Sequence, residues 1–223
     1  MQRYEFRAGT GVSMKLKHLA IEISELNGFN NPKIELEQYT TPGDLAARWI
    51  LMTAQLGDLE QGSKVLDLGC GTGVLGLGAL IFGASSATMV DIDDDAIDIM
   101  LENAKSLGLE GKVVPMCKKI TDVGNIEADL VLCNPPWGKQ KHGADSKFIK
   151  SIKNLCLPTY LLHSSSARHV EAEFLRSGWQ VQKLLTLPFD LGAVYPHHTR
   201  RRMSTDATLW RLTPPWLSAP DRS

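Results

Sequence analysis

No stretch of this chain approaches the roughly 18 consecutive apolar residues of a membrane span. Its first residues carry charges but no signal-like apolar core. A dominant charge is also missing, with 24 Lys and Arg against 25 Asp and Glu, a net charge of −1. So balanced a chain has no global attraction for nucleic acid, and any such contact has to come from a local patch. Cysteine is sparse. The four at 70, 117, 133 and 156 form no Cys-x-x-Cys pair and have no histidine spacing suited to zinc, so no metal is expected. Each lies in or beside an apolar stretch, which points to buried, reduced thiols and a cytoplasmic location. Internal repeats are absent. What is present is ordinary for a globular protein: 43% hydrophobic and 22% charged residues, in 223 that suffice for one well-buried domain.

The pattern along the chain assigns residues 1–13 to a flexible extension, 14–212 to one domain and 213–223 to a disordered tail. Leu16, Leu19, Ile23 and Leu26 recur at helical spacing. Pro42 suits the first position of a second helix over 43–56. From Ser63 strand and helix alternate. Strands are expected over 64–68, 86–91, 112–117, 128–133 and 159–163, with helices over 74–82, 94–107, 146–155 and 167–176. The runs 180–187 and 205–212 alternate with no helix between them and read as an antiparallel pair. The fold class is therefore α/β: a Rossmann-like, mainly parallel seven-stranded sheet with an antiparallel edge hairpin.

Asp67-Leu68-Gly69-Cys70-Gly71-Thr72-Gly73 follows the first strand and opens a helix. Glycines there let the backbone turn sharply and approach a ligand. The spacing is Gly-x-Gly-x-Gly, not the Gly-x-Gly-x-x-Gly that cradles a pyrophosphate. Asp91 ends the second strand, 20 residues after Gly71, where a carboxylate can accept from both hydroxyls of a ribose. Alone, the loop could be a tight turn and Asp91 a helix cap or a solvated acid; one of Asp93, Asp94 and Asp95 is expected to cap the next helix. Together in this order they resemble the S-adenosylmethionine methyltransferases, whose cofactor carries a methionine chain and no phosphate.

Asn134-Pro135-Pro136-Trp137 stops the fourth strand. Neither proline can donate to a sheet, and the residues before them are held extended. A proline turn closing the strand would explain the tetrapeptide alone. It also presents an amide oxygen and a rigid carbonyl at the carboxyl edge of the sheet, where ligands bind. Two acceptors aimed at a conjugated amino group draw its nitrogen toward a nucleophilic, tetrahedral geometry. Trp137 can stack on a planar substrate, a contact worth about 1–3 kcal/mol per base. Asn134 cannot serve as a base at neutral pH, so catalysis would be alignment and electrostatics. The tetrapeptide is similar to the signature of amino-methyltransferases acting on adenine, guanine or glutamine.

Three further segments narrow the resemblance: Leu36-Glu37-Gln38-Tyr39-Thr40-Thr41-Pro42, His163-Ser164-Ser165-Ser166, and Phe189-Asp190-Leu191 with Tyr195 and the basic run after it. They resemble the methyltransferase-like protein 5 family, archaeal and eukaryotic adenine-N6 methyltransferases of small-subunit ribosomal RNA. The resemblance implies that Gln38 and Thr41 close over S-adenosylmethionine, whose product is S-adenosylhomocysteine. Asp67, Gly69, Gly71, Thr72, Gly73, Val74 and Asp91 would form its pocket, and Asn134, Pro135, Pro136 and Trp137 would hold the adenine. His197, His198, Arg200, Arg201 and Arg202 form the one concentrated basic patch, a candidate phosphate grip or a solvated loop. His163 reads more simply as a satisfied strand-end histidine. In two places the chain departs from the family: Trp137 stands where Phe is frequent, and where an acid usually receives the cofactor adenine amino group stand Lys118 and Lys119, with Asp122, four residues on, or backbone atoms as the substitute.

The resemblance also implies a heterodimer with a small zinc-binding methyltransferase activator, which would pair along an exposed third strand. Two other functions stay open from the residues alone. One is glutamine-N5 methylation of a release factor; the other is a cofactor-binding ribosome assembly factor with secondary catalysis.

Overall fold

Residues 64–68 alternate across a sheet, and their side chains fall into two different cores. Val65 packs among one set of apolar residues and Leu66 and Leu68 among the other, as the two-residue period of a strand requires. The computed structural model describes residues 16–138, 140, 143–190 and 204–217. Within them the elements run α1 (Leu16–Ser24), α2 (Gly43–Gln55), β1 (Lys64–Leu68), α3 (Val74–Phe82), β2 (Ser86–Asp91), α4 (Asp94–Ser106) and β3 (Val113–Cys117). There follow β4 (Leu130–Cys133), α5 (Ala144–Leu155), β5 (Thr159–Ser164), α6 (Arg168–Arg176), β6 (Gln180–Asp190) and β7 (Ser204–Thr213).

The sheet has the order β3-β2-β1-β4-β5-β7-β6. The first five strands are parallel, and β7 enters antiparallel between β5 and β6. One core holds Leu19, Ile23, Trp49, Ile50, Leu77 and Met100 from α1 to α4. The other holds Ile149, Ile152, Val170 and Phe174 from α5 and α6. Each such side chain contributes roughly 1.5–3 kcal/mol on full burial. On the β7 side, Arg211 grips Asp58 with two hydrogen bonds of 2.6 and 2.8 Å, and Tyr160 donates to the same carboxylate at 2.8 Å. This ties the loop after α2 to the middle of the sheet.

Beyond shifts of one to three residues at element ends, the fold departs from the sequence reading in four places. Thr213 pairs with Gln180, and Pro215–Leu217 form a 3-10 turn whose Trp216 Nε1 donates to the Cys156 carbonyl at 2.8 Å. Defined structure therefore continues five residues beyond Leu212, because β7 extends to Thr213 and the indole finds a carbonyl acceptor. Pro42 sits at the N-cap, one residue before α2 begins. Asp93 occupies the N-cap of α4 but makes no side-chain cap bond, since its carboxylate is taken by Lys33 and Gln38. Cys117 is exposed at the end of the edge strand β3, while Cys70 and Cys133 are buried as expected. Residues 1–13, 218–223 and the stretch 191–203 lie outside the described residues. Among the described residues no helix is long and apolar enough to cross a membrane.

Candidate active site

Strands β2, β1 and β4 lie side by side, and the turns leaving their carboxyl ends wall a cavity of about 320 Å3. The glycine loop forms its floor. Gly69 and Gly71 have φ of +71° and +53°, a region that side chains rarely adopt. A Cβ at Gly71 would also lie 2.9 Å from Phe29 Cζ, and one at Gly69 would lie 3.0 Å from Phe148 Cε1. The two glycines thus let two rings from distant parts of the chain close on the loop. The loop is held by the Val90 carbonyl, which accepts from Gly69 N at 2.8 Å and Cys70 N at 2.9 Å.

Two acids support the loop in different ways. Asp91 Oδ2 accepts from Gly71 N at 2.8 Å and its Oδ1 from Asp93 N at 3.0 Å, so both oxygens are fixed at the cavity wall. Burial raises its pKa, against those backbone donors. Each oxygen keeps a lone pair for a hydroxyl. Asp67 lies deeper. Burial, foremost, raises its pKa to about 7, opposed by the Gly76 N–H and reinforced by the charge of Asp91. Its Oδ2 accepts from Gly76 N at 2.8 Å, which anchors α3 to β1.

A strap over residues 27–42 crosses the cavity and is pinned at each end. Asn103 accepts from Asn27 N at 2.8 Å and donates to the carbonyls of Asn27 and Thr72 at 3.0 and 2.9 Å. Farther along, Lys33 pairs with Asp93, and Gln38 Nε2 donates to Asp93 Oδ2 at 2.6 Å while its Oε1 accepts from Lys33 N at 2.7 Å. Burial would raise the pKa of Asp93, but the bonds from Lys33 and Gln38 outweigh it and hold it below the usual carboxylate range. Gln38 therefore lines the cavity with both polar ends already engaged in the strap.

The strap also sets the tetrapeptide after β4. Asn134 Nδ2 donates to Thr41 Oγ1 at 3.0 Å, which aims the amide, and Tyr39 OH reaches Asn134 Oδ1 at 3.3 Å and the Pro135 carbonyl at 3.4 Å. Glu37, in the left-handed region at φ 52°, accepts from Trp137 N at 2.7 Å and Gln140 N at 2.8 Å. One carboxylate thus clamps the loop that carries the two acceptors.

Of the residues singled out in the sequence, Gln38, Thr41, Asp67, Gly69, Gly71, Thr72, Val74, Asp91, Asn134 and Pro136 all line the cavity. Gly73 does not. A Cβ there would meet Met100 Cγ at 2.6 Å, so this glycine serves the packing of the turn on α4. Pro135 is buried behind the wall, with its carbonyl facing Tyr39. Trp137 needs the larger correction. Its ring is 7% exposed, stacks on His163 at 5.8 Å and 21°, and packs on Phe189 at 5.2 Å, so protein occupies the surface expected to receive the substrate. Lys119, Ile120 and Thr121 reach the cavity, whereas Asp122 does not and instead accepts from Thr121 Oγ1 at 2.9 Å. His197, His198, Arg200, Arg201 and Arg202 lie outside the described residues.

His163 is buried, and its Nε2 lies 3.1 Å from Asp145 Oδ2, which His169 Nε2 also approaches at 2.5 Å. Burial would raise the Asp145 pKa, but the two imidazoles overcome it and hold the carboxyl at about 2. The three side chains bring possible metal-ligand atoms within 4.8 Å of one another, around an oxygen that both rings already use. The remaining ring nitrogen of His163, Nδ1, has no partner among the described residues.

Glu37, Phe29 and Phe148 were missed as site residues. Glu37 lies inside the Leu36-to-Pro42 element, but a backbone clamp across 100 residues leaves no mark on spacing. The two phenylalanines belong to no motif, and only the fold brings them to glycines 69 and 71.

Residues 44–157 match the methyltransferase small domain family. The rRNA N(6)-adenosine-methyltransferase METTL5 of Danio rerio is 34% identical over 209 residues, spanning 90% of this chain and 100% of that protein. The Drosophila melanogaster Mettl5 protein, named for the same activity, is 31% identical over 206 residues, 89% of this chain and 96% of its own. Among solved structures, the Pyrococcus horikoshii protein PH1948 superposes with a TM-score of 0.78 at 32% identity, covering 89% of this chain and 96% of that one. The chain belongs to the METTL5-like methyltransferase family. It is a methyltransferase, and its methyl donor is S-adenosylmethionine.

The residues of this METTL5-like chain fit that cofactor. Thr72 Oγ1, buried in the cavity wall, has no hydrogen-bond partner among the described residues, and such an orphan invites a ligand. Asp91 fixes both carboxylate oxygens at the cavity wall, and Gly69 and Gly71 bring backbone without side chains to the same wall, on either side of Cys70.

Proposed function

We propose that this chain methylates the N6 atom of an adenosine in small-subunit ribosomal RNA, with Asn134 and Pro135 as the acceptors of the target amine. The observation that carries the reading is the orientation of Asn134. Its amide is aimed by Thr41, at the wall of the cavity that Asp91 and Thr72 line. When bound there, S-adenosylmethionine supplies an electrophilic sulfonium methyl. The chain's own part is to hold the amine. Asn134 Oδ1 and the Pro135 carbonyl each take one N–H, which bends the nitrogen out of conjugation and turns its lone pair toward the methyl. Holding reactants in such a near-attack arrangement is worth several kcal/mol of barrier. Glu37 keeps the loop in place. The methylated nitrogen would be strongly acidic and give its extra proton to water, with S-adenosylhomocysteine as the leaving group, so no side chain has to act as a base.

Adenosine in ribosomal RNA is favoured over a release-factor glutamine by the relatives, which carry that activity in their names over nearly the whole length of this chain. The basic run from His197 to Arg202 would grip flanking phosphates, and the site would act in the cytoplasm. Beyond β2 the edge strand β3 leaves Val114 45% exposed, which suits a zinc-binding activator that pairs along this edge.

The test is methylation in vitro of naked ribosomal RNA and of release factor, alone and with the activator, with the product identified by mass spectrometry. N6-methyladenosine in small-subunit RNA is expected, lost in Asn134→Ala while S-adenosylmethionine binding stays within about threefold of wild type, below 1 kcal/mol. Retained turnover in Asn134→Ala refutes the acceptor role, and N5-methylglutamine as the only product refutes the substrate.

A further inference from the structure

The two acceptors assigned to the target amine are not bare. The Tyr39 hydroxyl lies 3.3 Å from Asn134 Oδ1 and 3.4 Å from the Pro135 carbonyl, within reach of both. Burial, together with the nearby charge of Glu37, raises the phenol pKa well above its ordinary value, so the hydroxyl keeps its proton. A phenol has one proton to give. Shared between two oxygens at these lengths, it bonds less well than a direct O–H···O contact of about 2.7–2.8 Å. An exocyclic amine carries two protons, one for each acceptor.

We propose that Tyr39 is a stand-in donor, which caps the acceptor pair between turnovers and is displaced by the exocyclic amine of the substrate base. The idea rests on the assignment of Asn134 and Pro135 as amine acceptors and adds a selection rule to it. A base with a planar NH2 at the reacting position regains more hydrogen bonding than Tyr39 gives up. A base with a carbonyl there sets oxygen against two oxygens and regains none. The monomethylated product keeps a single N–H, no better than the hydroxyl, so Tyr39 competes with it on equal terms and favours its release after one transfer.

The surroundings suit exchange. Tyr39 belongs to the strap, two residues beyond the Glu37 clamp, and its ring meets Trp137 and Phe189 edge-on at 6.0 and 5.6 Å. These edge contacts hold the ring without the hydroxyl, so Tyr39→Phe preserves the packing and removes the proton alone.

Two short single-stranded RNAs are compared for binding to the full chain with S-adenosylhomocysteine present. One carries adenosine at the target position, the other purine riboside, which lacks the 6-amino group. In wild type the amine gains only the difference between its own bonds and those of Tyr39. In Tyr39→Phe the acceptors are left bare unless an amine arrives, so the preference for adenosine should rise about fivefold, the worth of one net hydrogen bond. An unchanged preference, or a weaker grip on adenosine alone, overturns the stand-in role. Asn134→Ala in the same assay separates the two ideas. If it abolishes the preference, the acceptor assignment stands whatever Tyr39 does; if it leaves the preference intact, the acceptor assignment itself has failed.

Discussion

Glu37→Gln tests whether one carboxylate positions the methyl-acceptor loop. Glu37 accepts from two backbone N–H groups, at 2.7 Å from Trp137 and 2.8 Å from Gln140. A glutamine keeps the length and the φ preference of the residue but has a single accepting oxygen, and its NH2 then faces the second N–H as donor against donor. A hydrogen bond to a charged acceptor is worth roughly 1.5–3 kcal/mol. Glu37 is half-buried, so about 1 kcal/mol for each bond is the better figure after solvent screening. The loop should therefore loosen by about 1–2 kcal/mol, and displacement of a reacting group by about 1 Å can cost some 100-fold in rate. Methylation should fall by about 10- to 100-fold, with the affinity for S-adenosylmethionine within about threefold of wild type. Steady-state kinetics beside calorimetric titration of the cofactor would measure both. Full turnover in Glu37→Gln would refute the clamp, and so would a loss of cofactor affinity equal to the loss of rate.

Three other expectations concern the cofactor loop, the pH response and the RNA. Gly71→Ala puts a Cβ 2.9 Å from Phe29 Cζ at φ +53°, so S-adenosylmethionine affinity should fall at least about tenfold without loss of the fold; calorimetric affinity equal to wild type would contradict this. An unfolded aspartate titrates near 3.9, whereas Asp67 is raised to about 7. The fold thus binds this proton more tightly, and the stability it contributes is complete below the unfolded pKa and lost as pH rises through 7. Asp67→Asn keeps an oxygen for Gly76 and cannot ionise, so thermal melts should show wild type losing ground to the variant between about pH 4 and 7; a constant difference would sink the argument. Replacing Arg200, Arg201 and Arg202 by Glu should weaken ribosomal RNA binding and flatten its salt dependence, and an unchanged affinity in a salt titration would place the grip elsewhere.

The chain by itself determined the alternation of strands and helices, and with it the order of the cofactor loop, Asp91 and the Asn134 tetrapeptide along one sheet edge. Those features are local. A two-residue period, a glycine where φ must be positive and a proline that ends a strand all act within a few positions of themselves. Even the overrun at Thr213 to Leu217 was a matter of a few residues at an element end. Tertiary structure decided what each group touches. Asp93 could have capped α4, as its place in the sequence suggested, but Lys33 lies 60 residues away and takes the carboxylate. Trp137 had the chemistry to stack on a base, yet His163 and Phe189 arrive from later strands and bury it. The strap is the clearest case. Glu37, Tyr39 and Thr41 meet the Asn134 loop across more than 90 residues, and only the folded chain makes them neighbours. Hydrogen bonds select partners by distance and angle in space, and sequence separation carries no record of either.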